Sequence, residues 1–291
     1  MPRQIISLNH NIMHESALKK RLKGAGFTFQ DADYSFWRAR KDKTTITFFK
    51  SGKLLIQGPD AEDVSQTLFD ATRRYDGLEH IKDLQNWIGT DESGKGDFFG
   101  PLVVAAVYVT RHDLETQLIA ELRDSKDVSD QSIQRFADLI KKNFKYSVIT
   151  IVPHHYNELY PTFKNLNGLL GEAHAQAIQS ILKKVKCTVV LSDKFGDESY
   201  IADALARKRI HVQLEQQIKA EKNPAVAAAS ILARQEFLNQ LDDLSLKFGT
   251  LLPKGAGAGV IDAGKKIVDR YGHEALKEVA KLNFKTVLKI M

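Results

Sequence analysis

Apolar and polar positions in the first 75 residues alternate between strand-like and helix-like patterns. Runs of period two predict short strands, and apolar residues three and four positions apart predict helices. One helix ends at Gly26, and a second begins after Asp60, whose side chain can cap it. The predicted strands cover residues 4–8, 34–40, 44–50 and 53–57. The pattern therefore predicts a small α+β domain over residues 1–75.

From Trp87 onward, apolar strands alternate with longer helices. Asn223 can cap a helix that begins at Pro224, because proline is favoured at a first helical position. Strands are predicted over residues 87–90, 102–109, 148–152, 188–191 and 210–214, and helices around residues 133–140, 169–182 and 225–237. Such alternation is typical of an α/β core covered by helices. We expect a connector at residues 76–86 and a second domain over residues 87–291.

The first domain carries an excess of positive charge. Residues 1–58 carry 11 Lys/Arg and 4 Asp/Glu, so they hold more than the whole net charge of +6. Alternation places Thr45, Thr47 and Phe49 on one sheet face, near Lys50 and Lys53. Hydroxyl, aromatic and ammonium groups together suit a nucleic-acid backbone and its bases. An ordinary sheet with a polar open face is the alternative.

The rest of the composition excludes several classes of protein. The chain has 291 residues and one cysteine, Cys187, which excludes an intramolecular disulfide and a cysteine-based zinc site. The longest apolar run, residues 98–109, contains Gly100 and Pro101 and is shorter than the ~20 residues of a membrane helix. The first residues lack an apolar signal region, so we expect a cytoplasmic protein that does not contact a membrane.

Residues 89–96 nearly match a phosphate-binding P-loop. The motif requires Ser or Thr after Gly-Lys, and Gly96 stands there without a hydroxyl. Asp91 and Glu92 would also place two negative charges where backbone N–H groups hold a phosphate. A P-loop ATPase is therefore disfavoured.

The same two acids suit a hard divalent cation. Asp91 and Glu92 follow an apolar run, Asp193 ends another predicted strand, and Glu221 precedes the Pro224 helix. Mg²⁺ prefers carboxylate oxygens, and four such groups at one sheet edge could hold two cations for phosphoryl chemistry. Acids that merely cap strands and face solvent are the alternative, and spacing alone leaves it open.

Longer motifs distinguish these alternatives. They are DESGKGDFFGPLVVAA (91–106), RDSK (123–126), YNELY (156–160), NLN (165–167), LSDKFG (191–196), AEKNPAVAAASILAR (220–234), LPKGAGAGV (252–260) and AKLNFKT (280–286). The sequences of these motifs and their order along the chain resemble those of the type 2 ribonucleases H. The Gly-Lys-Gly at 94–96 resembles that of the ribonuclease HIII branch. The first 75 residues, with FKSGKLLIQG (49–58), resemble that branch's N-terminal domain, which is similar to a half of the TATA-binding protein.

This resemblance implies a ribonuclease H-like mixed sheet flanked by helices. It implies an endonuclease that cleaves the RNA strand of RNA/DNA hybrids with two divalent cations, Mg²⁺ or Mn²⁺, leaving 5′-phosphate and 3′-hydroxyl ends. Asp91, Glu92, Asp193 and Glu221 would be the catalytic metal ligands, with Asp91 bridging both cations. A non-catalytic nucleic-acid-binding protein is the remaining alternative. Nothing in the sequence requires more than a monomer.

The resemblance also implies substrate contacts. Gly94, Lys95 and Gly96 would form a turn against ribose 2′-hydroxyls, although a plain tight turn is the alternative. The other implied contacts with the hybrid are Ser125, Lys126 and Asn167, joined by Lys50 and Lys53 of the first domain. The sequence assigns no role to His155, His174 or the loop at residues 254–259.

Overall fold

The computed structural model describes residues 4–9, 15–69, 84–115, 130–218 and 220–291. The chain divides into two compact units, residues 1–74 and residues 75–291. Residues 76–83, most of the predicted connector, lie outside the described part.

The first unit is a five-stranded antiparallel sheet with two helices. The strand order is β1-β5-β4-β3-β2. Its elements are β1 (Gln4–Asn9), α1 (Glu15–Gly24), β2 (Thr28–Gln30), β3 (Ser35–Lys41), β4 (Thr44–Phe49), β5 (Lys53–Gly58) and α2 (Ala61–Phe69). Strand β2 was missed from the sequence because three residues are too short to show a period.

Alternation in β4 explains most of this unit's core. Ile46 and Phe48 are fully buried, as their shared face predicts. Thr47 lies on the opposite face by the same alternation, but the expectation that this face leaves it open to a ligand was wrong, because it is only 2% exposed. Nε of Arg38 on β3 donates a hydrogen bond to its hydroxyl at 3.2 Å, so the neighbouring strand covers it.

The second unit is built on a mixed five-stranded sheet of order β10-β9-β6-β7-β8. Strand β6 pairs antiparallel with β7 and parallel with β9. Strand β8 is antiparallel to β7, and β10 is parallel to β9. The strands are β6 (Asn86–Ser93), β7 (Leu102–Thr110), β8 (Lys145–Ile151), β9 (Val189–Asp193) and β10 (Gln213–Gln217).

Helices cover both faces of this sheet, as the predicted α/β class requires. They are α3 (Asp130–Asn143), α4 (Pro153–Leu159), α5 (Leu166–Leu182), α6 (Ser199–Arg207), α7 (Pro224–Lys247), α8 (Ala258–Tyr271) and α9 (Leu276–Val279). Ile88 on β6 packs into the cluster that contains α5, whereas a β-carbon on Gly89 would collide with Ala225 of α7. Neighbouring β6 residues therefore face opposite helices.

The start of α7 is fixed by a buried asparagine. Oδ1 of Asn223 accepts hydrogen bonds from the N–H of Ala225 at 2.9 Å and from Nε1 of Trp87 at 3.0 Å. Asn223 is 1% exposed, so this cap also ties the helix to β6. Within the described ranges, no helix is both long and apolar enough to cross a bilayer.

Candidate active site

Two consecutive acids lie near the end of the central strand. The sequence placed Asp91 and Glu92 after a strand, but β6 continues to Ser93, and they pair with Ala105 and Val104 of β7. This continuation also contradicts a P-loop, in which the strand gives way to a phosphate-binding loop. Side chains alternate across a sheet, so Asp91 faces α7 while Glu92 faces α5.

The carboxyl group of Asp91 is buried on the α7 side. Burial and the negative charges of Glu92 and Asp193 raise its pKa to about 7. A hydrogen bond from Ser230 on α7 and one from the N–H of Glu92, at 2.8 Å, oppose this rise. A buried carboxyl beside two further acids is a group that a bound cation would stabilise in its charged form.

Glu92 is held by two basic side chains. Nε2 of His174 on α5 lies 3.3 Å from one carboxylate oxygen, and Nζ of Lys95 lies 3.7 Å from the other. Burial alone raises the pKa of Glu92, but these two contacts lower it below its ordinary value. His174 is fully buried, and its Nδ1 is hydrogen-bonded to the hydroxyl of Thr90.

Phe195 joins these two basic residues. The ring of His174 stacks on Phe195 with centroids 5.1 Å apart, and Nζ of Lys95 lies 5.1 Å from the centre of the same ring. Nζ of Lys95 also donates a hydrogen bond to the Phe195 carbonyl at 3.3 Å. Lys95 was expected only as a substrate contact, yet it is also part of the support of Glu92.

Asp193 reaches the site through the parallel pairing of β9 with β6. Thr90 pairs with Ser192, so Asp91 and Asp193 are the next residues on two adjacent strands. Oδ1 of Asp193 accepts a hydrogen bond from the N–H of Ala220 at 2.9 Å. Ala220 precedes Glu221 in a 3₁₀ turn, Ala220–Lys222, which is thereby anchored beside Asp193.

The structure thus brings three of the four predicted acids together and places the backbone of the fourth beside them. The side chain of Glu221 lies outside the described part. Within that part, no three His, Cys, Asp or Glu side chains are placed so that they could hold a metal ion together. Oxygen donors fit Mg²⁺ or Mn²⁺ by type, and burial together with the charges of Glu92 and Asp193 disfavours the ionised form of Asp91 when no cation is bound.

The glycine turn after β6 is sterically fixed. Gly94 has φ +86°, and a β-carbon there would collide with the carbonyl oxygen of Pro101. The position of Gly96 is exposed, and a β-carbon would meet nothing within 4 Å. Glycine is therefore required at the first position by packing, whereas the second faces open space.

Other predicted substrate residues are placed as follows. Asn167 lies in the first turn of α5, against the loop after Asp193, because a β-carbon on Gly196 would lie 2.6 Å from Nδ2 of Asn167. Ser125 and Lys126 lie outside the described residues. Lys50 and Lys53 are exposed residues of the first unit, around the turn between β4 and β5.

The structure shows the surroundings of two histidines and one loop to which the sequence assigned no role. His155 is exposed, whereas His174 belongs to the acidic site. The loop at 254–259 is tied to the residues after the glycine turn. The N–H of Gly255 donates to Oδ1 of Asp97 at 2.6 Å, and its carbonyl accepts from the N–H of Phe98 at 2.9 Å.

The contributions of Ser230 and His174 were missed from the sequence. Ser230 ends a run of small residues, Ala227–Ala229, and such a run allows a helix to approach a strand closely. His174 stands among the apolar positions of α5, where a polar residue needs a buried partner. These two signals could have directed attention to both residues.

A mixed sheet with acids on two adjacent parallel strands is the architecture of a ribonuclease H-like nuclease, and solved structures agree. The crystal structure of Bst-RNase HIII in complex with Mn²⁺ matches with a TM-score of 0.67 and 27% identity, covering 99% of this chain and 98% of that one. Aquifex aeolicus RNase H3 matches with a TM-score of 0.58 and 27% identity, covering 96% and 100%.

Family and sequence comparisons agree with this class. Residues 88–287 match the family Ribonuclease HII, and residues 13–74 match a Domain of unknown function (DUF3378). Ribonuclease HIII of Protochlamydia amoebophila is 40% identical over 278 residues, covering 94% of this chain and 92% of the relative. Ribonuclease HIII of Chlamydia abortus is 39% identical over 280 residues, covering 94% and 93%.

This chain belongs to the ribonuclease HIII family. It is therefore a metal-dependent endonuclease of RNA/DNA hybrids that uses divalent cations such as Mg²⁺ or Mn²⁺. The ATPase and the non-catalytic nucleic-acid-binding protein considered from the sequence are not favoured.

Proposed function

We propose that Asp91, Glu92, Asp193 and Glu221 are the residues that hold two divalent cations and cut the RNA strand, leaving 5′-phosphate and 3′-hydroxyl ends. The observation that carries this proposal is the parallel register of β6 and β9, which makes Asp91 and Asp193 neighbours. Bound cations supply activation of a water and stabilisation of the leaving oxygen.

The chain's own residues orient the carboxylates before any cation arrives. Ser230 donates to Asp91 from one face, and His174 with Lys95 holds Glu92 from the other. The N–H of Ala220 fixes Asp193. Such preset orientation reduces the entropy lost when substrate and catalytic groups align.

The turn at Gly94–Gly96 is proposed to contact ribose 2′-hydroxyls. Support comes from the open space beside Gly96, where a sugar can approach the backbone closely. Lys95 belongs to this turn, and its Nζ lies 3.7 Å from a carboxylate oxygen of Glu92, so the turn directly adjoins the acids. Asn167, Ser125 and Lys126 remain predicted contacts of the same groove.

The first unit is proposed to bind the hybrid through its positive charge, as a domain similar to a half of the TATA-binding protein. Lys50 and Lys53 are exposed, and the N–H of Lys50 donates to the carbonyl of Tyr34 at 3.0 Å. Tyr34 is 87% exposed, so an exposed aromatic residue and an exposed lysine are joined here through their backbones. This combination suits phosphate contact and base stacking.

We also propose that the chain acts as a monomer in the cytoplasm, without a membrane. The single cysteine favours a reducing compartment. Light scattering after gel filtration should give one chain mass of 32.7 kDa, and a dimer mass would refute the monomer.

The site assignment is tested by digestion of matched RNA/DNA, RNA/RNA and DNA/DNA duplexes in Mg²⁺, in Mn²⁺ and in EDTA. We expect wild type to cut only the RNA strand of the hybrid, and only with metal. Asp193→Asn should lose at least a hundredfold in rate, whereas Asp203→Asn, an exposed acid on α6, should cut normally. Normal cleavage by Asp193→Asn would refute the assignment.

A further inference from the structure

A buried lysine far along the chain contacts the segment behind the glycine turn. Lys281, which follows α9, is 1% exposed. Its Nζ donates hydrogen bonds to three consecutive carbonyl oxygens, at 3.3 Å for Phe99, 2.6 Å for Gly100 and 3.2 Å for Pro101. These acceptors match the three N–H groups of an ammonium ion.

Placing a lysine here is costly, because an ammonium group loses its hydration on burial. Burial lowers the pKa of Lys281 to about 7, while the negative charge of Asp97 acts in the opposite direction. A methionine of similar length would fill the same volume without this cost. The lysine is therefore better explained by the orientation that it imposes on its carbonyl partners than by stability.

The backbone around Lys281 reinforces this contact. Its N–H donates to the carbonyl of Phe98 at 2.8 Å, and the N–H of Gly100 donates to the carbonyl of Val279 at 2.9 Å. Phe99 and Ala280 form an antiparallel bridge. The C-terminal segment is thus paired with residues 98–100 and brings the ammonium group to the end of that pairing.

One of the three carbonyls connects Lys281 to the glycine turn. The carbonyl oxygen of Pro101 accepts from Nζ of Lys281, and it is also the atom against which Gly94 packs without room for a β-carbon. Any rotation of the peptide after Pro101 would therefore move the support of Gly94. Displacements of about 1 Å at a substrate contact can change rates by about a hundredfold.

We propose that Lys281 is a positioning residue that holds the carbonyls of residues 99–101 and thereby sets the Gly94–Gly96 turn for ribose recognition. This proposal rests on the proposed function of the turn. We expect the loss of Lys281 to act mainly on the choice between RNA-containing and DNA duplexes, because Asp91 and Asp193 are supported by residues outside the turn.

The test compares Lys281→Met with Lys285→Met in the full chain. Lys285 is exposed in the same C-terminal segment, so its replacement makes the same chemical change without the loss of buried contacts. The affinities for an RNA/DNA hybrid and for a DNA duplex of the same sequence are measured by fluorescence anisotropy in EDTA. The values of KM and kcat for the hybrid are measured in Mg²⁺.

We expect Lys281→Met to bind the hybrid about 10- to 100-fold more weakly and to raise KM, with little change in DNA-duplex affinity. Lys285→Met should retain wild-type preference for the hybrid. Lys281→Gln keeps two N–H donors and should fall between wild type and Lys281→Met. Equal loss on both duplexes, or a loss in kcat with unchanged KM, would overturn the proposal.

If circular dichroism shows that neither Lys281 variant folds, the role of Lys281 is purely structural, and the proposal that it positions the turn is overturned. Failure of the Lys281 proposal can be distinguished from failure of the proposed function of the turn. If wild type itself shows no preference for the hybrid over DNA, the turn function is wrong. If wild type discriminates and both Lys281 variants discriminate equally, only the Lys281 proposal fails.

Discussion

Replacing Asp91 by asparagine should stabilise the metal-free protein while destroying its activity. The carboxyl group has a pKa of about 7 in the fold and an ordinary value of 3.8. Between these two values the folded state keeps a proton that the unfolded chain releases. Stability of the metal-free protein therefore falls as the pH rises from about 4 to about 7.

The size of this effect follows from the shift of about three pKa units. At about 1.36 kcal/mol per unit, the ionised group costs the fold about 4 kcal/mol above pH 7. Asparagine carries no charge, and its carbonyl oxygen can accept the hydrogen bond from the N–H of Glu92. At pH 8 in EDTA, Asp91→Asn should gain up to about 4 kcal/mol, and at pH 5 only about 1–2 kcal/mol.

The assay is urea unfolding followed by circular dichroism at pH 5 and pH 8, with and without Mn²⁺. Asp203→Asn is the control, because this exposed acid lies outside the acidic site. Added Mn²⁺ should stabilise wild type more than Asp91→Asn, so the difference in unfolding free energy between the two proteins should become smaller. A variant no more stable than wild type at pH 8 in EDTA, or a gain in stability independent of pH, would show that the buried charge of Asp91 does not destabilise the fold.

Three further predictions follow from the described contacts. Gly94→Ala should lose at least about 1 kcal/mol of unfolding free energy, because of its positive φ and the Pro101 carbonyl, and an unchanged urea midpoint would contradict this. Asn223→Ala should lose about 1–3 kcal/mol, since it removes the cap of α7 and the partner of a buried indole; equal stability of this variant would refute that role. Replacing Lys50 and Lys53 together by alanine should reduce the slope of log affinity for the hybrid against log salt by about 1–2, and an unchanged slope would exclude both from the phosphate contacts.

The pattern of apolar residues predicted the layers of the fold but not all of the boundaries. Helix α7 continues to Lys247, ten residues beyond Phe237. The prediction stopped too early because the later turns are only partly covered by other elements, so their apolar spacing is weaker. The predicted strand covered residues 210–214, whereas β10 is Gln213–Gln217. The prediction followed the apolar residues Ile210, Val212 and Leu214, which pack on the core, and missed the end of β10 because QLEQQ lacks a strand-like composition. Its place is set by parallel pairing with β9, a long-range interaction that local patterns do not contain.

The four acids of the site were predicted from the sequence motifs, but the side chains that contact and orient them were not. Ser230 and His174 lie 139 and 82 residues beyond Asp91 and Glu92 respectively, and only the packing of α7 and α5 on opposite faces of β6 brings them close. Likewise, no local pattern indicates that Lys281 contacts Pro101. Tertiary packing, which lies outside the reach of periodicity, determines these contacts.

The most direct test of the central claim is a crystal structure of Asp193→Asn and wild type grown with Mn²⁺, with manganese located by anomalous scattering. For wild type we predict two manganese peaks, both bound by carboxylate oxygens among Asp91, Glu92, Asp193 and Glu221. For Asp193→Asn we predict that at least one peak is lost. Manganese bound elsewhere in wild type, with these four carboxylates free of metal, would contradict the account.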